Sequence, residues 1–86
     1  YAEAWNRRAF IHYLQGKPDR SLEDIERVLE LEPRHFGALS GKGRILMEQG
    51  RVRLGQQALR EAVALHPFIP ERFLLIREQE EKGIDL

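Results

Sequence analysis

The strongest constraint on this chain is a period of 34 residues. Gly16 recurs as Gly50, Leu31 as Leu65 and Pro33 as Pro67, and the same offset relates Ala4 to Ala38, Ile11 to Ile45 and Gln15 to Gln49. Shared glycine and proline matter most here, because they fix where the backbone must turn. A repeat of this length, containing two turns, describes a unit that cannot bury its apolar face alone and must stack on its neighbours.

Within each period the apolar spacing is helical. Trp5, Ala9, Phe10, Tyr13 and Leu14 predict a helix over 2–15, stopped by Gly16. Pro18 suits a first helical turn, where its missing N–H is no loss. Leu22, Ile25, Val28, Leu29 and Leu31 then form a stripe opposed by Glu23, Asp24, Glu26, Arg27 and Glu30. This acidic face reads as solvated surface, with Glu23 and Arg27 paired four apart. Pro33 disfavours a helical Glu32 and ends the run. The second period predicts helices over 36–49 and 52–65. A fifth helix is expected over 71–82, closed by Gly83 with Ile84 folding back on it.

These features resemble the tetratricopeptide repeat. The first unit carries Trp5, Ala9, Ser21, Ile25, Val28 and Pro33 at the family's places. The second carries Leu39, Gly43, Leu46, Gly55, Leu59, Ala62 and Pro67. The resemblance implies an all-α fold of antiparallel helix–turn–helix repeats, stacked as a short right-handed α-solenoid of five helices. It divides the chain into repeat 1 (1–35), repeat 2 (36–69) and a capping helix and tail (70–86). Ala9, Ser21, Gly43 and Gly55 are expected where paired helices approach closely. Arg8 and Lys42 stand where the family prefers leucine, and long basic stems can lie along apolar surface. His12 replaces the usual tyrosine, and Gly41 has no reason in the sequence. The final segment starts like a third unit at Phe73 and Ile76, but Arg77 and Glu80 depart from the pattern, as suits a cap with one solvated face.

The resemblance also implies a concave groove lined by the first helix of each unit, holding a peptide or partner helix. Its places fall on Asn6, Arg7, Phe10 and Tyr13 in the first unit. In the second they fall on Ser40, Gly41, Arg44 and Met47, with Leu74 or Glu78 added by the cap. The competing reading is that Phe10, Tyr13 and Met47 only pack against the cap or a neighbouring repeat. The family's carboxylate-clamp set is not reproduced, since Asn6 alone lies near one of its places.

Catalysis is not expected. His12, His35 and His66 lack the partner spacing of a zinc motif, so no metal and no cofactor is expected. His66 stands at a helix end, where an imidazole suits the dipole. Ser40-Gly41-Lys42-Gly43 fails the phosphate-loop pattern in both glycine spacing and the residue after lysine. No nucleophile elbow or Ser/His/Asp set occurs, and no small-molecule substrate is implied.

Charge refines the choice of partner. Fourteen Lys+Arg balance fourteen Asp+Glu, which disfavours nucleic acid, whose binding needs a net basic field. The balance is uneven along the chain. Lys42, Arg44, Arg51, Arg53 and Arg60 against Glu48 and Glu61 leave 36–69 at net +3, between segments of −1 and −2. An acidic protein or peptide is therefore the expected ligand. The alternatives are self-association of array ends, giving a homo-oligomer, or an anion- or RNA-binding face at Arg51, Arg53 and Arg60. No apolar run is long enough to span a membrane. The chain begins at Tyr1 inside a helix, as expected of a piece of a longer protein or one that has lost a leader. The compartment is left open, with the cytoplasm favoured, and the absence of cysteine does not decide it.

Overall fold

The computed structural model describes residues 1–67. They form four helices, α1 (Ala2–Leu14), α2 (Pro18–Leu31), α3 (Phe36–Glu48) and α4 (Val52–Leu65). No strand occurs among the described residues. The expected fifth helix, its Ile84 contact and the capping role of 70–86 lie outside them.

Each helix stops where the sequence marks it. Gly16 and Gly50 adopt φ of +73° and +76°, the left-handed conformation that only glycine reaches cheaply. Beyond each, an N–H folds back five residues: Lys17 donates to His12 O and Arg51 to Leu46 O, both at 2.9 Å. Gly16 and Gly50 also donate three residues back, to Tyr13 and Met47, which completes a Schellman closure in both units. Pro18 is the first residue of α2, and Glu32 leaves the helix at φ −137°, just before Pro33. α3 begins with a side-chain cap, the Ala38 N–H donating to Nδ1 of His35 at 3.0 Å.

Short connections make α1 pair with α2 and α3 with α4, and the two hairpins then join mainly through α2 against α3. The small residues set both pairings. In the first hairpin the Ser21 hydroxyl donates to the Ala9 carbonyl at 2.7 Å, with both residues buried. In the second, a Cβ on Gly43 would stand 2.5 Å from Leu59 Cγ and 3.1 Å from the Gly55 carbonyl oxygen. A Cβ on Gly55 would meet Met47 Cγ at 2.8 Å and the Gly43 oxygen at 3.1 Å. Position 43 follows 9, and 55 follows 21, by one period, so both hairpins close at equivalent points. Between them lies a core of Ala2, Ala9, Ile25, Val28, Ala38 and Ile45, flanked by Trp5, Tyr13, Leu22 and Leu29. Leu39 and Ala62 anchor a second cluster with Leu29, Val63 and Leu65.

The polar residues depart from the sequence reading in three places. The acidic face of α2 is not wholly solvated: Asp24 is buried, taking Arg8 Nε at 3.1 Å and facing His12 Nε2 at 3.5 Å on the same oxygen. Arg8 also lies over Trp5, 5.3 Å from the ring centroid, with Arg27 at 5.9 Å. Its stem does not merely coat apolar surface; it neutralises a buried carboxylate. Lys42, one period later, pairs with Glu26 at 2.9 Å and so ties α3 to α2. Arg27 pairs with Glu30 at 3.6 Å, not with Glu23.

Gly41 now has an environment. A Cβ there would lie 3.6 Å from Ile25 Cδ1, ordinary contact with no clash. Gly41→Ala is therefore expected to stabilise by about 0.5–1 kcal/mol through helix propensity. Gly43→Ala, which forces a carbon against Leu59 and backbone, should cost about 1–3 kcal/mol. Urea denaturation of the two variants checks the opposite signs.

Candidate functional site

A cavity of about 530 Å³ opens between α1 and α3, with α2 beneath it. Ala9, Ser21, Ile25 and Ile45 reach it from the packed interior, and Phe10 and Ile11 supply exposed apolar wall. Asn6, Arg7, Tyr13, Gly37, Ser40, Gly41 and Arg44 complete the lining. α1 and α3 touch each other sparingly. The bare backbone at Gly37 and Gly41 keeps the α3 wall low, which is what leaves the space open.

Seven of the eight groove places among the described residues line this one cavity: Asn6, Arg7, Phe10, Tyr13, Ser40, Gly41 and Arg44. Met47 is not among them. Its Cγ and Sδ pack where a Gly55 side chain would stand, so it faces α4. Leu74 and Glu78 lie outside the described residues. Phe10 is 61% exposed, so no described residue covers it, and its expected packing against the cap concerns residues outside those described, whereas Tyr13 is half-buried against the core. Sequence reasoning missed Ile11, Ile25, Ile45 and Gly37 as lining. The recurrence of Ile11 as Ile45 carried the usable signal, since a shared aliphatic at one period marks a shared environment.

Polar fasteners close the cavity at either end. At one end the His35 ring uses both nitrogens. Nδ1 accepts from the Ala38 N–H, which puts the proton on Nε2, 3.3 Å from Glu3 Oε2. Asn6 Nδ2 donates to the other Glu3 oxygen at 3.3 Å. These hydrogen bonds, that of His35 first, hold the Glu3 carboxyl below its ordinary pKa of 4.5. At the other end the Tyr13 hydroxyl donates to both Glu48 oxygens, at 2.7 and 3.0 Å. That bond to an anion raises the Tyr13 pKa above 10.0, with burial adding to it. Both fasteners join α1 to α3 or its cap, across more than thirty residues of chain.

The cavity rim carries basic side chains without a direct ion pair among the described residues. Arg8 and Lys42 are committed to carboxylates, but Arg7 and Arg44 have no ion-pair partner among the described residues. Their guanidiniums flank an apolar recess, an arrangement suited to a carboxylate beside an apolar side chain. The remaining histidines make contacts away from the rim. His12 faces Asp24, while His66 stacks on Phe36 with centroids 5.1 Å apart, a ring contact in addition to its place at the end of α4. Among the described residues no three His, Asp or Glu side chains converge as a metal site would need, and no helix is long and apolar enough to cross a membrane.

Helical hairpins repeated at 34 residues, with a cavity between their first helices, define a helical-repeat protein. Residues 2–35 match the family model described as tetratricopeptide repeat. A TPR repeat-containing protein from Rhizobium etli is 46% identical over 67 residues, which are 78% of this chain and 33% of that relative. The matches assign residues 2–35 to the tetratricopeptide-repeat family, and the part of the chain that matches the relative spans about a third of the relative's length. Repeats of this family generally mediate protein–protein interaction and are typically non-catalytic.

The Glu3 fastener sets a pH dependence. A carboxylate with a depressed folded pKa stabilises the fold above its unfolded pKa, and that contribution is lost as pH falls through the folded value. The loss is therefore expected below pH 4.5. Carboxyl-carbon NMR should place the Glu3 midpoint below 4.5, and His35→Ala should return it towards that value.

Proposed function

We propose that this chain is a non-catalytic interaction module that holds an acidic peptide or partner helix in the groove between α1 and α3. The observation that carries the proposal is a recess of about 530 Å³ rimmed by Arg7 and Arg44, neither of which is neutralised by an ion pair among the described residues. Phe10 and Ile11 offer apolar wall to a bulky side chain, while Asn6 and Ser40 offer polar groups to a bound backbone. Aromatic and arginine side chains are also the types most often found to dominate interface energetics.

This reading takes 36–69 as a second repeat and 70–86 as a cap, with the hairpins beginning a right-handed solenoid. The groove then lies on the concave side, where consecutive units would extend it.

Binding should depend on the rim charges and weaken as salt screens them. Titration of a peptide library, each member pairing Asp or Glu with a bulky apolar residue, tests this. The double variant Arg7→Glu/Arg44→Glu should weaken the best ligand at least roughly tenfold, which corresponds to about 1.4 kcal/mol. Unchanged affinity in that variant would show that the ligand sits elsewhere. Met47→Ala, which alters the α3–α4 packing and not the cavity lining, serves as the contrasting control.

A further inference from the structure

The fastener at the end of α1 also parts two spaces. Tyr13 and Ile45 line both the groove cavity and a second recess of about 430 Å³. Leu14, Gly16, Pro18 and Glu48 complete the lining of the second recess. Its mouth is open at the turn, where a Cβ on Gly16 would find nothing within 4 Å. Leu14 is 67% exposed there, and Glu48 is exposed as well.

α1 and α3 run in the same direction, since Glu3 meets His35 at their starts and Tyr13 meets Glu48 at their ends. Residues one period apart on the two helices therefore stand at equivalent levels. In the groove cavity one such pair is Phe10 and Arg44, an apolar side chain on one wall and a cation on the other. About one turn further, in the second recess, the pair is Leu14 and Glu48. The apolar wall continues, but the charge has changed sign. The four-residue step between the two levels rises about 6 Å. In an extended chain, residues two apart point the same way and stand about 6.7 Å from each other. The spacings match.

Glu48 is also available to a cation. Its carboxylate accepts only the uncharged Tyr13 hydroxyl, at 2.7 and 3.0 Å, and forms no ion pair among the described residues. A carboxylate offers about four lone-pair sites, so one hydroxyl does not exhaust it. A lysine or arginine suits such a place, because its stem lies along apolar surface while its head stays polar. Leu14 and Pro18 offer that surface, and Glu48 offers the counter-charge.

We propose that the recess beyond Tyr13 is a cation subsite for a basic side chain of an extended peptide. The acidic residue of that peptide, two positions away, lies in the groove between Arg7 and Arg44. The ligand thus carries opposite charges on one face and is not acidic throughout, since a continuous acidic run would set a carboxylate against Glu48. This subsite rests on the groove reading for the acidic residue and adds to it a second charge and a spacing.

Short capped peptides with Glu-Ala-Lys or Lys-Ala-Glu at their centre test it, each beside a twin with norleucine in place of lysine. Norleucine keeps the apolar stem and removes the charge. In the unmodified chain the better lysine peptide should bind about two- to fivefold tighter than its twin, the range of an exposed ion pair. Glu48→Gln, which keeps an acceptor for Tyr13, should erase that preference and leave the norleucine peptide's affinity unchanged. Glu48→Lys should turn the preference towards a Glu-Ala-Glu peptide, a gain that a misfolded variant could not show. Absence of a lysine preference in the unmodified chain, or its survival in Glu48→Gln, overturns the subsite. The groove reading then still stands if Arg7→Glu/Arg44→Glu weakens the norleucine peptides. Peptide binding that persists in the double arginine variant, or no binding by any of these peptides, overturns both.

Discussion

The fold rests on how closely two helix backbones can approach within a hairpin. Position 9 meets position 21 in the first unit, and position 43 meets 55 in the second. The two solutions differ chemically. Ala9 and Ser21 use a 2.7 Å hydrogen bond from hydroxyl to carbonyl, whereas Gly43 and Gly55 remove side chains until each Cβ position lies 3.1 Å from the other's oxygen. Once the backbones are that close, Leu59 and Met47 are driven over the contact and become part of it. The rest of the packing follows, because the apolar stripes of α2 and α3 can face each other only when both hairpins are flat. Small residues here do the work usually credited to large ones.

Much of this was legible in the sequence. The periodic Gly, Pro and Leu positions located the helix ends, and the small residues located the close approaches. Seven of the cavity-lining residues stand at the family's groove places. What escaped had physical reasons. Asp24 belongs by periodicity to a charged stripe, but Arg8 and His12 come from another helix to receive it. In the second unit the same places are Lys42, Leu46 and the buried Ala58, so the repeat itself gives no hint of the polar cluster. Met47 sits where the groove pattern would put a ligand contact. The missing side chain at Gly55 leaves a hole that a flexible thioether fills, and that pull is invisible to a one-helix pattern. Glu3 and Asn6 are neighbours three apart on α1, but His35 meets Glu3 only because the α2–α3 turn returns over the start of α1. No spacing rule connects residues as far apart as 3 and 35.

The contrast between hairpins bears on how the molecule uses charge. The first buries a carboxylate against Arg8 and His12, with the Arg8 guanidinium also lying over the Trp5 ring, so its integrity depends on a cation being present. A lost partner for a buried charge is costly, more so than a lost surface pair. The second is held by carbon packing and glycine contact. Arg8 therefore has duties on both sides, inward to Asp24 and outward to solvent, while Arg7 and Arg44 form no ion pair among the described residues. Neutrality of the whole chain hides this division of labour among its arginines.

The two fasteners at Glu3 and Tyr13 have a mechanical corollary. Neighbouring helices are joined by turns of a few residues, but α1 and α3 are held only by contacts that close a long loop of chain. Such contacts are the first to open, since local folding units separate where few buried contacts bridge them. A molecule wedged between α1 and α3 would behave as a third rivet on the same seam. Part of its binding free energy would appear as resistance of that seam to parting. Occupancy would then be felt at the joint between repeats, as stiffness along the array, without either hairpin changing shape.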